Sequence, residues 1–183
     1  MEVIAMTFQE LARARYSVRS FKQTPIEEEK LKLILEAGRV APTACNNQPQ
    51  KIYVGKSREA RQKLASVCPC TFDAPVILVV CYDRTRDWKN KLLPGYESGE
   101  TDAAIVCTHM MLQAAALGIG SCWVGYFNAN DVAGALGLPE NITVSDEEIE
   151  AEYTNMAEQY DRKVEELKEE KTENYHQEKL DFL

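Results

Sequence analysis

Apolar positions recur at three- and four-residue spacing in two early stretches, the signature of helices that bury one face. In residues 7–14, Phe8, Leu11 and Ala12 share a side, Thr7 is placed to cap the helix, and Glu10 completes a capping box. In the second stretch Leu31, Ile34, Leu35 and Val40 form an inward stripe that Pro42 ends. Thr24 is its expected N-cap, Pro25 its first helical residue, and Glu27 to Glu29 face the positive end of the dipole. Lys51–Gly55 reads as a short strand and Ser57–Val67 as a third helix capped by Ser57. Ala74–Tyr82 is the longest apolar run; rich in β-branched residues, it predicts a central strand buried on both faces. Asp83–Glu100 is polar and turn-rich, a surface loop of the kind that carries selectivity. Thr101–Leu117 is apolar nearly all round, which predicts a core helix. Gly118 and Gly120 stop it and launch a strand, Ser121–Tyr126. Asn130 then caps a short helix, Asp131–Leu136, that ends at Gly137. Helices alternating with short strands, only two of them strongly buried, predict an α+β fold rather than a doubly wound sheet.

The pattern changes after residue 142. Val144–Glu148 reads as a helix start with Ser145 as cap, and Ile149, Tyr153, Met156, Tyr160, Val164 and Leu167 make one apolar seam on a charged helix. Charge changes at the same point: residues 143–183 hold 14 acidic and 5 basic side chains, whereas residues 1–142 hold 15 and 16. The expected organisation is therefore a body, 1–142, and an acidic helical tail, 143–183. A near-neutral body with an acidic tail argues against a nucleic-acid partner, which needs a basic face. No apolar run reaches the roughly 20 residues of a membrane span, and the N-terminal residues do not form a secretory signal. With six cysteines and no such signal, the chain reads as a cytoplasmic protein with reduced thiols. Cys68-Pro69-Cys70 is read as a thiol pair ahead of a zinc site, and His109 and His176 lack ligand spacing, so no metal is expected.

Candidate chemistry sits in three places. Arg15, Ser17 and Arg19 alternate in Arg-Tyr-Ser-Val-Arg-Ser-Phe, so in extended chain they share one side; guanidinium forks suit phosphate oxygens. The loop Ala41-Pro42-Thr43-Ala44-Cys45-Asn46-Asn47-Gln48-Pro49 is rich in turn formers and neutral hydrogen-bonding groups. The third is Gly118-Ile119-Gly120-Ser121-Cys122-Trp123-Val124-Gly125. In this order and separation the three stretches resemble the nitroreductase family over roughly residues 5–142.

That resemblance implies a central mixed sheet flanked by helices, in an intertwined homodimer with FMN at the subunit interface. It implies that hydride from NADH or NADPH reaches a nitroaromatic, quinone or similar small-molecule acceptor by way of FMN. Arg15 and Arg19 would hold the phosphate and the ribityl or pyrimidine edge, with Tyr16 in the same stretch and Ser17 bonding the flavin. Pro42, Thr43 and Asn46 would approach from the partner subunit with Gln48 nearby, and Trp123, Val124 and Gly125 would line the other side. No side chain need act as a nucleophile or obligatory acid, so no catalytic residue is assigned. The family usually continues past Leu138-Pro139-Glu140 with an apolar strand and a basic stretch near the phosphate; here the acidic segment follows, and it resembles part of the C-terminal region of trigger factor. The alternative is a flavin-binding or dimeric interaction protein with little turnover, its tail serving as a partner-binding element. A chaperone-like module would rest on the tail alone.

Overall fold

In the computed structural model the chain divides into two units, Met1–Asp146 and Glu147–Leu183. The structure describes residues 6–145. The expected tail helix and its apolar seam lie outside them.

Local signals set the first helix, α1 (Phe8–Ala14). Thr7 caps it, and its backbone N–H donates to Glu10 Oε2 at 2.8 Å in the expected capping box. The second helix, α2, runs Glu28–Arg39 and starts later than the Thr24-Pro25 signature predicts. Glu27, not Thr24, occupies the N-cap, and Ile26 is half-buried at the edge of a cleft. β1 (Gln50–Gly55) and α3 (Arg58–Val67) follow, with Ser57 Oγ accepting the Ala60 N–H at 3.0 Å. β2 (Ile77–Asp83) is the middle strand of an antiparallel sheet ordered β1-β2-β3. Its alternation carries the core. Val80 and Tyr82 face α2 and the long helix α4 (Gly99–Ala116), joined by Ile34, Val106 and Met110. Val79 and Cys81 face α3 and α5 (Ala129–Leu136), joined by Leu64 and Val132. Burial on both faces is why this run shows no polar alternation.

Three expectations change here. Asn128 rather than Asn130 caps α5: its Oδ1 accepts the N–H groups of Asn130 and Asp131, at 2.9 and 3.2 Å. Ser121–Tyr126 is not a strand; only Ser17 and Ser121 pair, in an isolated parallel bridge. The named strands all pair antiparallel, and this bridge, a parallel pairing, lies outside the sheet they form. Val144 does not open a helix. It lies in β3 (Ile142–Val144), which pairs with Cys81–Asp83 and buries Ile142 and Val144 against α5. The Ser145 hydroxyl donates to Glu100 Oε2 at 2.6 Å. Among the described residues no helix is long and apolar enough to cross a membrane.

Candidate functional site

The cationic stretch leaves α1 at Arg15, whose N–H still donates to Leu11 O at 3.0 Å before the chain turns extended. Ser17 then bridges to Ser121, and the Val18 N–H donates to Ser121 O at 2.9 Å. The approach is tight: a Cβ at Gly120 would lie 2.7 Å from Val18 Cγ2. The first and third sequence stretches therefore assemble within one chain. Arg15 is half-buried and Arg19 exposed, and neither has an acidic partner among the described residues. Tyr16 is 71% exposed and Trp123 41%; Val124 is half-buried and Gly125 exposed.

The second stretch is a strained turn. Cys45, Asn46 and Gln48 hold φ of 51°, 56° and 50°, left-handed conformations that cost about 1–3 kcal/mol each in non-glycine residues. Side-chain amides hold it. Thr43 Oγ1 accepts the Gln48 N–H at 3.1 Å, and Gln48 Nε2 donates to Asn46 Oδ1 at 2.9 Å and reaches Ala41 O at 3.3 Å. Gln50 Nε2 extends the chain to Gln48 Oε1 at 2.7 Å, and Arg86 donates to Asn47 O at 3.3 Å. Pro42 is exposed at its start. The Ala44 N–H donates to Asp102 Oδ1 at 2.8 Å, which anchors the turn to the first turn of α4.

These anchors lie at opposite ends of α4. Asp102 sits near its N-terminus and Leu117 caps its C-terminus, about 22 Å apart at helical rise. Within one chain the cationic stretch and the amide turn are thus anchored toward opposite ends of one helix. A cleft of about 530 Å³ lies between α2, β2 and the C-terminal half of α4, lined by Leu31, Ile34, Met110, Ile119, Trp123 and Val124 among others. It touches none of Arg15, Ser17, Arg19, Thr43, Asn46 or Gln48. Cys68 and Cys70 open onto it, and burial pushes the Cys68 thiol up. The Cys81 thiol, fully enclosed, is pushed up to about 12 by burial first and then by Glu100, so it is unreactive. Sequence reasoning missed Asp102, Ser98 and Arg86. The signal for Asp102 was a carboxylate in a largely apolar helix, since a buried charge must find donors.

The model of the Nitroreductase family matches residues 12–70 and 68–145, and that of the bacterial trigger factor C-terminus matches residues 132–181. A nitroreductase family protein from Clostridium difficile 630 is 38% identical, with a TM-score of 0.74 over 76% of this chain and 80% of that one. An FMN-dependent nitroreductase from Clostridium difficile R20291 is 25% identical, with a TM-score of 0.62 over 74% and 81%. FMN reductase [NAD(P)H] from Bacillus subtilis is 29% identical over 143 residues, which span 69% of this chain and 57% of that protein. The cationic stretch, the amide turn and the glycine-flanked segment all fall inside the matched residues, and the chain belongs to the nitroreductase family, NAD(P)H-dependent oxidoreductases that carry FMN.

Proposed function

We propose that this protein works as a homodimer whose two FMN sites each join the cationic stretch of one chain to the amide turn of the other. It reduces a small electron-poor acceptor, such as a nitroaromatic or a quinone, with NADH or NADPH. The separation of the half-sites along α4 carries this reading. The donor set fits FMN. Two guanidiniums with no acidic partner among the described residues suit its phosphate, and a neutral turn rich in amides suits an uncharged ring edge. Arg15 and Arg19 hold the phosphate and orient the group, Ser17 and the amide turn fix its ring, and Trp123 and Val124 exclude water from the far side. FMN, when bound, supplies the hydride chemistry.

Exposed apolar surface supports the dimer. α1 has no buried residue, and Phe8 is 70% exposed and Tyr126 67%. α4 lacks a polar face, yet Ile105, Met111 and Leu112 are only half-buried in one chain.

Complementation tests the reading. Arg15→Ala damages one half-site, and Asn46→Gly, which tolerates the left-handed φ, damages the other. Each variant alone is expected to lose tight FMN binding. Refolded together, they form mixed dimers with one intact site, so about a quarter of all sites in a statistical mixture recover. A mixture that binds no more FMN than its components would refute the shared site.

A further inference from the structure

Asp102 is an enclosed carboxylate, 2% exposed, and both its oxygens are engaged. Oδ1 accepts the Ala44 N–H at 2.8 Å, and Oδ2 accepts the Ser98 hydroxyl at 2.8 Å. Ser98 Oγ in turn accepts the Trp88 N–H at 3.0 Å. One line of hydrogen bonds, buried at its centre and part-buried at its ends, therefore runs from the amide turn to the base of the 84–98 loop. Within that loop Lys89 grips Asp87 and Glu97 at 2.7 and 2.6 Å, and the Trp88 and Tyr96 rings meet edge-on at 6.5 Å. Its tip exposes Leu92 and Leu93. The only other side-chain tie across this gap among the described residues, Arg86 to Asn47 O, is longer and exposed. Charge-assisted bonds in a buried site are the strong ones, so the carboxylate dominates the link.

We propose that Asp102 is a positioning residue that couples the order of the 41–48 turn to that of the 84–98 loop, through Ala44 on one side and Ser98 on the other. Loosening the loop loosens the turn, and a ligand that orders the turn stiffens the loop. The consequence for FMN affinity rests on the function proposed above; the coupling itself does not.

Hydrogen exchange on the full-length, flavin-free protein tests it, beside FMN titration. Ser98→Ala removes the hydroxyl donor to Oδ2 and the acceptor of the Trp88 N–H. Exchange is expected to rise in both 87–98 and 44–48, and the FMN Kd to rise about tenfold, the scale of one hydrogen bond to a charged group. Ser98→Thr, which keeps the hydroxyl, restores both readouts. Asp102→Asn keeps an acceptor for Ala44 but turns an amide donor toward Ser98, so exchange rises more in 87–98 than in 44–48. Faster exchange in both segments of Ser98→Ala supports the coupling whether or not the wild type binds FMN. Faster exchange confined to 87–98, in a wild type that binds FMN, overturns the coupling and leaves the proposed function standing.

Discussion

Gly120→Ala is the smallest change that displaces the cationic stretch. The new methyl would sit 2.7 Å from Val18 Cγ2 and 3.3 Å from Val18 Cβ. Valine is stiff at χ1, so it cannot swing away cheaply. Reaching ordinary contact requires a shift of about 1 Å, enough to break the Val18 N–H bond to Ser121 O, now 2.9 Å. Two stability effects oppose one another. Overpacking costs about 1–3 kcal/mol, toward the lower end at a site this exposed, while replacing glycine where φ is ordinary returns about 0.4–1 kcal/mol through the unfolded chain. The melting temperature should move little. Ligand affinity should move more, because Arg15 and Arg19 travel with Val18, and losing about 1.4 kcal/mol of their charged hydrogen bonds is a tenfold rise in the FMN Kd. Fluorescence titration of FMN reads this directly. Val18→Ala in the Gly120→Ala background removes both γ-methyls and should bring the Kd back, while Val18→Ala alone stays near wild type. Wild-type FMN binding by Gly120→Ala, or no rescue by Val18→Ala, would refute this role of the Gly120–Val18 contact.

Two further expectations concern the body. The Asp83 carboxyl is held down to about 2, first by the Thr85 hydroxyl and then by Asn141, below the unfolded value of about 3.9. Its stabilisation is therefore present above about pH 4 and lost as pH falls toward about 2. Asp83→Asn should flatten the acid limb of the denaturation midpoint between pH 4 and 2, and an unchanged limb would contradict the assignment. Truncation after Asn141 removes Ile142 and Val144, each worth about 1.5–3 kcal/mol when buried, so it should melt well below a truncation after Asp146 that keeps β3. Equal melting temperatures would mean that β3 contributes nothing.

What the sequence made legible was local. The Thr7–Glu10 capping box, the Ser57 cap and the two-faced burial of β2 all depend on residues a few positions apart. Relations between distant residues were hidden. Residues 121–126 have strand composition, but a strand needs a partner, and only Ser121 meets one, at Ser17. β3 is too short for periodicity to reveal and exists because β2 offers an edge at Cys81–Asp83. Thr24-Pro25 satisfies a helix-start rule, yet the helix waits until Glu28, with Ile26 half-buried ahead of it.

The candidate site divides along the same line. Its residue types were readable because guanidiniums, amides and small residues announce their chemistry. Its distribution was not. Residues 15–19 and 41–48 lie close along the chain, and nothing in their spacing says that one locks onto Ser121 and the other onto Asp102. That difference is set by α4, whose length stands between the two anchors. The feature that made α4 easy to recognise, its lack of a polar face, also supports the second copy that would complete each site. A helix with this much half-buried apolar surface in one chain is better satisfied between two. Asp102 is buried on that helix despite its carboxylate, and the donors it gathers show why. A carboxylate is tolerated there because two loops bring an N–H and an O–H to it, and both loops are held in place by the same charge.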